Sequence, residues 1–333
     1  MRQDTVRRLV SLALLAVLVA IFGFTTDSFF TPANILTLLR ECGVIGIVAV
    51  GVTMVIITAG IDLSTGALLG FVAMLSANLL YYGKLPGLVV IPIALVVGAL
   101  GGYLNGTLVT RLRLPDFIAT LSTQFLFRAL ALILAIRTST GMISNKTIND
   151  RTIQLLGGSV NGVYLVTIAF LVIAVAGQFL LKLTKLGVYT YAVGANLPSA
   201  ELSGINSARV RRMAYTLTGL LCGVAALFTM GRVGSVTPDL GTGLELNVIA
   251  AVIVGGTAFT GGRGDVVGTV IGTVFMMVLT NGIYKYNLPT AAQMIILGSV
   301  IIVMVVFDSL YNGFMHRRAV QREKFAAEAV VAS

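Results

Sequence analysis

The sequence has no tryptophan, a single histidine (His316) and two cysteines. Only 13 of its 333 residues are acidic and only 11% are charged. A soluble domain carries about 25% charged residues, so the shortage of charge excludes a water-soluble globular protein. It also excludes disorder, which combines low hydrophobicity with high charge. One histidine leaves no His-rich metal site. Cys42 and Cys222 both lie in apolar stretches and read as small apolar residues, not as a disulfide or metal pair. What is abundant is apolar: 57% of residues are hydrophobic and the mean hydropathy is +0.97. The chain reads as an all-α polytopic membrane protein, because a helix satisfies its own backbone in lipid and no strand-like alternation is present. The net charge of +10 reads as the Lys and Arg excess that membrane proteins keep on their cytoplasmic side, not as a nucleic-acid surface.

Apolar runs fall at 9–24, 42–60, 65–82, 86–110, 116–136, 162–181, 211–230, 246–259, 266–283 and 289–307. Most approach the roughly 20 residues that a transmembrane helix needs, 246–259 being the short one, so about ten spans, or eight, are expected within one transmembrane domain, 1–333. The run at 9–24 follows Arg2, Arg7 and Arg8 as a signal peptide would, but it lacks a clear cleavage site and reads as the first span. With the N-terminus (1–8) in the cytoplasm, the inner side holds those three arginines, Arg111, Arg113, Lys182, Lys185, Arg209, Arg211, Arg212, Arg263, Arg317, Arg318, Arg322 and Lys324. Arg40, Lys84, Arg137, Lys146, Arg151, Arg232 and Lys285 fall outside or at the outer interface, and Arg128 falls inside a span. This asymmetry predicts that both termini are cytoplasmic, including a tail at 308–333. Two connections are long: 137–161, outside, and 182–212, inside.

Two spans are interrupted by glycine-rich text. Gly60-Ile61-Asp62-Leu63-Ser64-Thr65-Gly66 breaks the first, and the second break contains Gly255, Gly256, Gly261, Gly262, Gly264 and Asp265. Irregular backbone at membrane depth is tolerated where it is buried in protein or lines a cavity, and paired interruptions point to a transport path. Two ordinary turns, with Ser64 or Asp265 capping the next helix, explain the same text. Neither stretch binds nucleotide by pattern. Residues 140–147, TGMISNKT, lack both glycines of a P-loop, and the glycines at 262, 264 and 268 are wrongly spaced for a dinucleotide loop.

Thr120, Gln124 and Arg128 recur every four residues and share one helical face. A charge at the bilayer centre costs at least about 2.5–3.5 kcal/mol, so Arg128 is expected to face the bundle interior with Glu41, Asp62 or Glu245 as partner. Asp62, Ser64, Asn105, Thr120, Gln124, Arg128 and Asn247 are the candidate lining of a translocation pathway. A purely structural interhelical ion pair is the alternative. In the inner connection, Asn196 as cap and Pro198 in the first turn start a short helix that Gly204 or Asn206 ends.

Three stretches carry a family resemblance: GVTMVIITAGIDLSTG (51–66), GANLPSAELSGIN (194–206) and IAAVIVGGTAFTGGRGDVVGT (249–269). Together they resemble the membrane permease subunits of bacterial sugar ABC importers, the ribose, galactose, arabinose, xylose and autoinducer-2 type. The resemblance implies a vitamin-B12-permease-like (type II) ABC importer fold, a multi-pass protein of the bacterial inner membrane working by alternating access. It implies a second permease copy or paralogue, a cytoplasmic ABC ATPase that binds ATP and Mg, and a periplasmic sugar-binding protein. No cofactor and no enzymatic activity are expected in this chain. Gly194, Asn196, Ala200, Ser203, Gly204 and Ile205 match the loop that docks on the ATPase, and Glu201 stands there where the family usually has arginine. A branched-chain amino acid permease of the same class is one rival. An ion-coupled secondary transporter relaying protons through the intramembrane acids is another. Asp62, Ser64 and the distant His316 make no plausible triad, which disfavours a membrane enzyme.

Overall fold

The computed structural model describes residues 2–135, 146–289, 291–296, 298–300, 302, 303 and 306, with side chains from residue 9 onward except that of Lys146. His316, the expected basic tail, Arg137 and the first part of the 137–161 connection lie outside the described residues. The chain divides into two compact units, 1–285 and 286–333.

The first unit is helical. Its elements are α1 (Arg2–Thr25), α2 (Pro32–Ile57), α3 (Thr65–Tyr81), α4 (Gly87–Thr110), α5 (Asp116–Ile133), β1 (Lys146–Thr147), α6 (Arg151–Leu156), β2 (Ser159–Val160) and β3 (Val163–Tyr164). There follow α7 (Leu165–Leu183), α8 (Lys185–Ala195), α9 (Leu197–Leu202), α10 (Ser207–Val233), β4 (Ser235–Val236), α11 (Leu244–Val254) and α12 (Val266–Lys285). Among the described residues, α2, α4, α5, α7, α10 and α12 are long and apolar enough to cross a membrane, and four apolar helices are shorter: Leu9–Thr25, α3, α11 and Ala291–Val300. The count of full spans therefore differs from the ten expected. Two of the short helices, α3 and α11, abut the interrupted text. At 1.5 Å per residue the 11 residues of α11 reach only about 16 Å, half of a 30 Å hydrocarbon core. In the second unit, described residues of 291–300 are helical, and the Gln293 side chain donates to the Leu288 carbonyl at 2.8 Å.

α2 is the axis of the first unit. It is buried almost continuously from Cys42 to Ile57, as expected for a helix that is apolar all round. Its neighbours approach through glycines. A Cβ on Gly43 or Gly46 would collide with Val166 or Phe170 of α7, and one on Gly51 with Thr218 of α10. The Thr53 and Thr269 hydroxyls share a hydrogen bond at 2.6 Å across α2 and α12. The closest crossing is α4 on α10. Gly98, Gly102 and Gly106, each four residues apart, press on Gly219, Tyr215 and Arg212 backbone, and Gly219 and Gly223 press back. Small residues at this spacing let membrane helices approach until their backbones touch.

Among the described residues, the long connection after α5 contributes strands to two small sheets. β1 pairs antiparallel with β4, and β2 pairs with β3 in the register Ser159↔Tyr164, Val160↔Val163. The turn between β2 and β3 is Asn161-Gly162, both with positive φ (50° and 82°), the pairing that a tight two-residue hairpin demands.

Candidate coupling and translocation site

The first interruption begins where α2 stops. The Ala59 amide donates to the Ile56 carbonyl and the Gly60 amide to the Val55 carbonyl, both at 2.9 Å, which closes the helix with Ala59 in the left-handed region at φ 59°. A non-glycine residue pays about 1–2 kcal/mol for that conformation. The strain sits at the point where three segments of the chain meet, described below.

Beyond it, Asp62, not Ser64, organises the start of α3. Its Oδ1 accepts from the Ser64 amide at 2.9 Å and from the Ser64 hydroxyl at 2.7 Å, while Ser64 makes no cap hydrogen bond to α3. Asn105 Nδ2 donates to Ser64 Oγ at 2.6 Å, and Thr123 Oγ1 donates to Asn105 Oδ1 at 2.6 Å. Thr120 donates to the Asp116 carbonyl at 2.8 Å and to the Ile61 carbonyl at 3.3 Å. The Tyr215 hydroxyl lies between the Ile61 carbonyl (3.1 Å) and Asp116 Oδ2 (3.0 Å), and Arg211 grips both Asp116 oxygens at 2.5–2.7 Å. Asp62, Ser64, Asn105, Thr120, Thr123 and Tyr215 are all buried. Four of the expected pathway residues are thus joined in one buried network that ties the break to α4, α5 and α10. Linked hydrogen bonds of this kind rigidify a buried polar cluster, although Arg211 Nε is buried without a partner. A Cβ on Gly60 would come within 3.0 Å of Asp116 Oδ2 and Tyr215 Oη, so the network closes against glycine.

Gln124 and Arg128, further along the same α5 face, form a second group. Arg128 Nη1 donates to the carbonyls of Pro238 (2.5 Å) and Leu240 (3.0 Å), and Gln124 Nε2 donates to Glu245 Oε1 at 3.3 Å. The hydrogen bonds of Arg128 thus go to backbone carbonyls of the turn that precedes α11, while Glu245, one of the expected carboxylates, acts on it through charge. Physically, a guanidinium carries several donors in a fixed fork and is satisfied by carbonyls as well as by acids. Glu41 is instead paired with Arg232 at 2.5 Å, and Asp62 is taken by Ser64. Gly66 lies inside α3, where it and Gly70 make room for the Gly241 and Leu240 carbonyls of the same turn. Asn247 stays apart, donating to the Gly243 carbonyl of its own helix start at 3.3 Å.

The second interruption follows α11. Gly255 caps that helix and touches the Gly268 backbone. Gly256, Gly261, Gly262 and Gly264 all have φ between 72° and 140°, a region that essentially only glycine enters without strain. Asp265 then caps α12, its Oδ1 accepting from the Gly268 amide at 2.7 Å, as one reading of the sequence expects.

Between α7 and α10 the chain forms α8 and α9. Asn196 Oδ1 accepts from the Ser199 amide at 3.0 Å and starts α9. Its end is closed by Gly204 at φ 81°, with Gly204 N donating to the Glu201 carbonyl at 2.9 Å and Ile205 N to the Ala200 carbonyl at 3.1 Å. Asn206 begins α10 by accepting from the Arg209 amide at 2.9 Å. Ala200 and Ile205 pack inward with Val193 and Val210, and Glu201 is held by the Ser207 hydroxyl. Leu202 is 91% exposed at the tip. Gly194 is not on that surface. It is wedged so that a Cβ would strike the Ile57 carbonyl and the Gly262 amide, which themselves hydrogen-bond at 2.8 Å. Tyr191 Oη donates to the Gly264 carbonyl at 2.7 Å. The end of α8 therefore touches the end of α2 and the second interruption at once. Sequence reasoning misses Tyr191, Tyr215, Asp116 and Thr123; the only signal for Asp116 is its place after Pro115 at a helix start.

A bundle of apolar helices, two of which end in glycine-rich interruptions, has the architecture of a polytopic membrane protein. A family model described as "Branched-chain amino acid transport system / permease component" matches residues 34–305. The chain is 36% identical over 307 residues to the ribose import permease protein RbsC of Escherichia coli (strain K12), covering 90% of this chain and 92% of that one. It is 38% identical over 296 residues to RbsC of Bacillus subtilis (strain 168), covering 88% and 90%. It is also 33% identical over 300 residues to the D-allose transport system permease protein AlsC of E. coli, covering 90% of each. The chain belongs to this family of membrane permease components, which sets aside the enzymatic and ion-coupled readings.

Proposed function

We propose that this chain is the membrane permease of an ATP-driven, binding-protein-dependent importer of a monosaccharide in the bacterial inner membrane. The cargo class rests on the ribose, fructose and allose names of its relatives and is preferred over branched-chain amino acids. The whole 1–333 chain acts as one permease domain with both termini in the cytoplasm, paired with a second permease copy or paralogue. A separate ATPase binds ATP and Mg and docks on α9 through the exposed tip at Leu202, with Asn196, Ser203 and Gly204 shaping that tip. A sugar-binding protein engages the opposite side, which includes 137–161.

The observation that carries the mechanism is the wedge at Gly194. Movement of α8 and α9 against a closing ATPase dimer is passed directly to the end of α2 and to the second interruption. The first network, Asp62 to Thr123, holds α3, α4, α5 and α10 together as they move, and Gln124, Arg128 and Asn247 border the passage beside the turn before α11. Packed interfaces with two discrete arrangements suit alternating access. Mild affinity purification of the tagged chain tests the assignment: a stoichiometric P-loop ATPase is expected, and the complex with its binding protein takes up a monosaccharide on ATP addition. Recovery of the chain alone in several mild detergents, with solute uptake driven by an ion gradient, would overturn it.

A further inference from the structure

One corner of the helix bundle has the make-up of a lipid site. The outward face of α4 presents Pro92, Val96, Leu100 and Leu104 at successive turns, all exposed, an apolar track about 18 Å long at 1.5 Å per residue. At its end stands Tyr103, 43% exposed. Arg212 of α10 crosses to it over Gly106, whose missing Cβ would otherwise meet the Arg212 stem within 2.9 Å, and its guanidinium lies 5.8 Å from the Tyr103 ring centre. The buried Nε of Arg212 has no hydrogen-bond partner. Arg111, exposed, follows α4 directly, and its charge acts on the same tyrosine hydroxyl as that of Arg212. Among the described residues the arginine ion pairs are Arg211–Asp116 and Arg232–Glu41; neither involves Arg111 or Arg212. Among the described residues, the two cations and the phenol at this end of an apolar track have no carboxylate in an ion pair with them.

We propose that this corner binds an anionic phospholipid, its phosphate held by Arg111, Arg212 and the Tyr103 hydroxyl and an acyl chain lying along Val96, Leu100 and Leu104. The proposal rests on the membrane-permease reading and goes beyond it, since a loop arginine excess alone would not place Arg212 over a lipid-facing tyrosine. The chemistry that recognises the ligand is charge plus apolar area.

The test is native mass spectrometry of the delipidated full-length chain titrated with phosphatidylglycerol, phosphatidylcholine or glycerol 3-phosphate. A one-per-chain phosphatidylglycerol adduct is expected, weakened about 5-fold for each charge removed, hence by about 30-fold in the Arg111→Gln/Arg212→Gln double variant. Arg212→Lys keeps most of the affinity. Should the double variant not yield monodisperse protein, Arg111→Gln alone, at an exposed position, carries the test. Equal phosphatidylglycerol binding by variant and wild type, or equal retention of phosphatidylcholine, would overturn the proposal. So would glycerol 3-phosphate binding as tightly as the lipid, which marks a free-phosphate site. Loss of the ATPase with unchanged lipid binding would mean that these arginines meet an acidic protein surface instead. A failed transport assay leaves this readout intact, so the two proposals fail separately.

Discussion

The Tyr191 hydroxyl offers a narrow test of how α8 drives the second interruption. Tyr191→Phe removes the hydrogen bond to the Gly264 carbonyl at 2.7 Å and keeps the ring that Lys182 Nζ approaches at 5.1 Å. A neutral hydrogen bond contributes about 0.5–1.5 kcal/mol net. Where that bond is made in one transport state and broken in the other, its loss shifts their ratio by about 2- to 13-fold. The assay reconstitutes the permease with its ATPase and binding protein in proteoliposomes and measures sugar uptake and ATP hydrolysis in parallel. Uptake per ATP is expected to fall within that range while the amount of assembled complex stays constant. Unchanged uptake per ATP in a well-folded variant would refute the idea that this contact transmits motion, since a bond kept in both states cannot bias their equilibrium.

Three further substitutions separate the roles of neighbouring residues. Tyr215→Phe deprives Asp116 and the Ile61 carbonyl of a buried donor; a bond to a charged group is worth about 1.5–3 kcal/mol, and thermal unfolding in detergent is expected to show the loss, with an unchanged Tm contradicting the network. Leu202→Asp, at an almost fully exposed tip, is expected to leave Tm unchanged and abolish ATPase co-purification; retained ATPase at wild-type stoichiometry would remove α9 as the docking element. Gly204→Ala would instead add about 1–2 kcal/mol of local backbone strain, so Leu202 is the cleaner probe of docking. Gly102→Val places a branched side chain against the Tyr215 carbonyl, where overpacking costs about 1–3 kcal/mol, and a lowered Tm with reduced monodisperse yield is the expected outcome.

Local chemistry was readable from the chain because it acts over a few residues. The caps at Asn196 and Asp265, the stop at Gly204 and the glycine demand of the second interruption are short-range consequences of sequence. The common face of Thr120, Gln124 and Arg128 follows from helical period alone. What those residues meet does not. The hydrogen-bond partners of Arg128 are carbonyls 110 and 112 residues away, and a carbonyl has no letter in the sequence, so a search for a counter-charge finds Glu245, whose charge acts on Arg128, and misses the carbonyls. Asp116 reads as a loop charge after Pro115 until Arg211 and Tyr215 fold onto it. The helix α11 is shorter than its apolar run, 246–259, because the run continues through Gly255 and Gly256, which hydropathy counts as harmless and backbone geometry does not.

Glycine shows why the two kinds of information differ. The residues at 98, 102 and 106 are spaced by four, and Asn161-Gly162 sits between two valines; both patterns are visible in the letters and name, respectively, a close helix crossing and a tight hairpin. Gly194 carries no such pattern. Its side is set by Ile57 and Gly262, which lie 137 residues before and 68 residues after it, and only the folded chain brings them to one point. A substitution there acts on α2, α8 and the second interruption together. Gly194→Ala should therefore lower uptake per ATP with the ATPase still bound, unlike Leu202→Asp, because its new methyl group faces the Ile57 carbonyl and the Gly262 amide and no partner protein. Double-mutant cycles between Gly194→Ala and Tyr191→Phe would measure that coupling, and strict additivity of the two effects on uptake per ATP would show that the wedge and the tyrosine act independently.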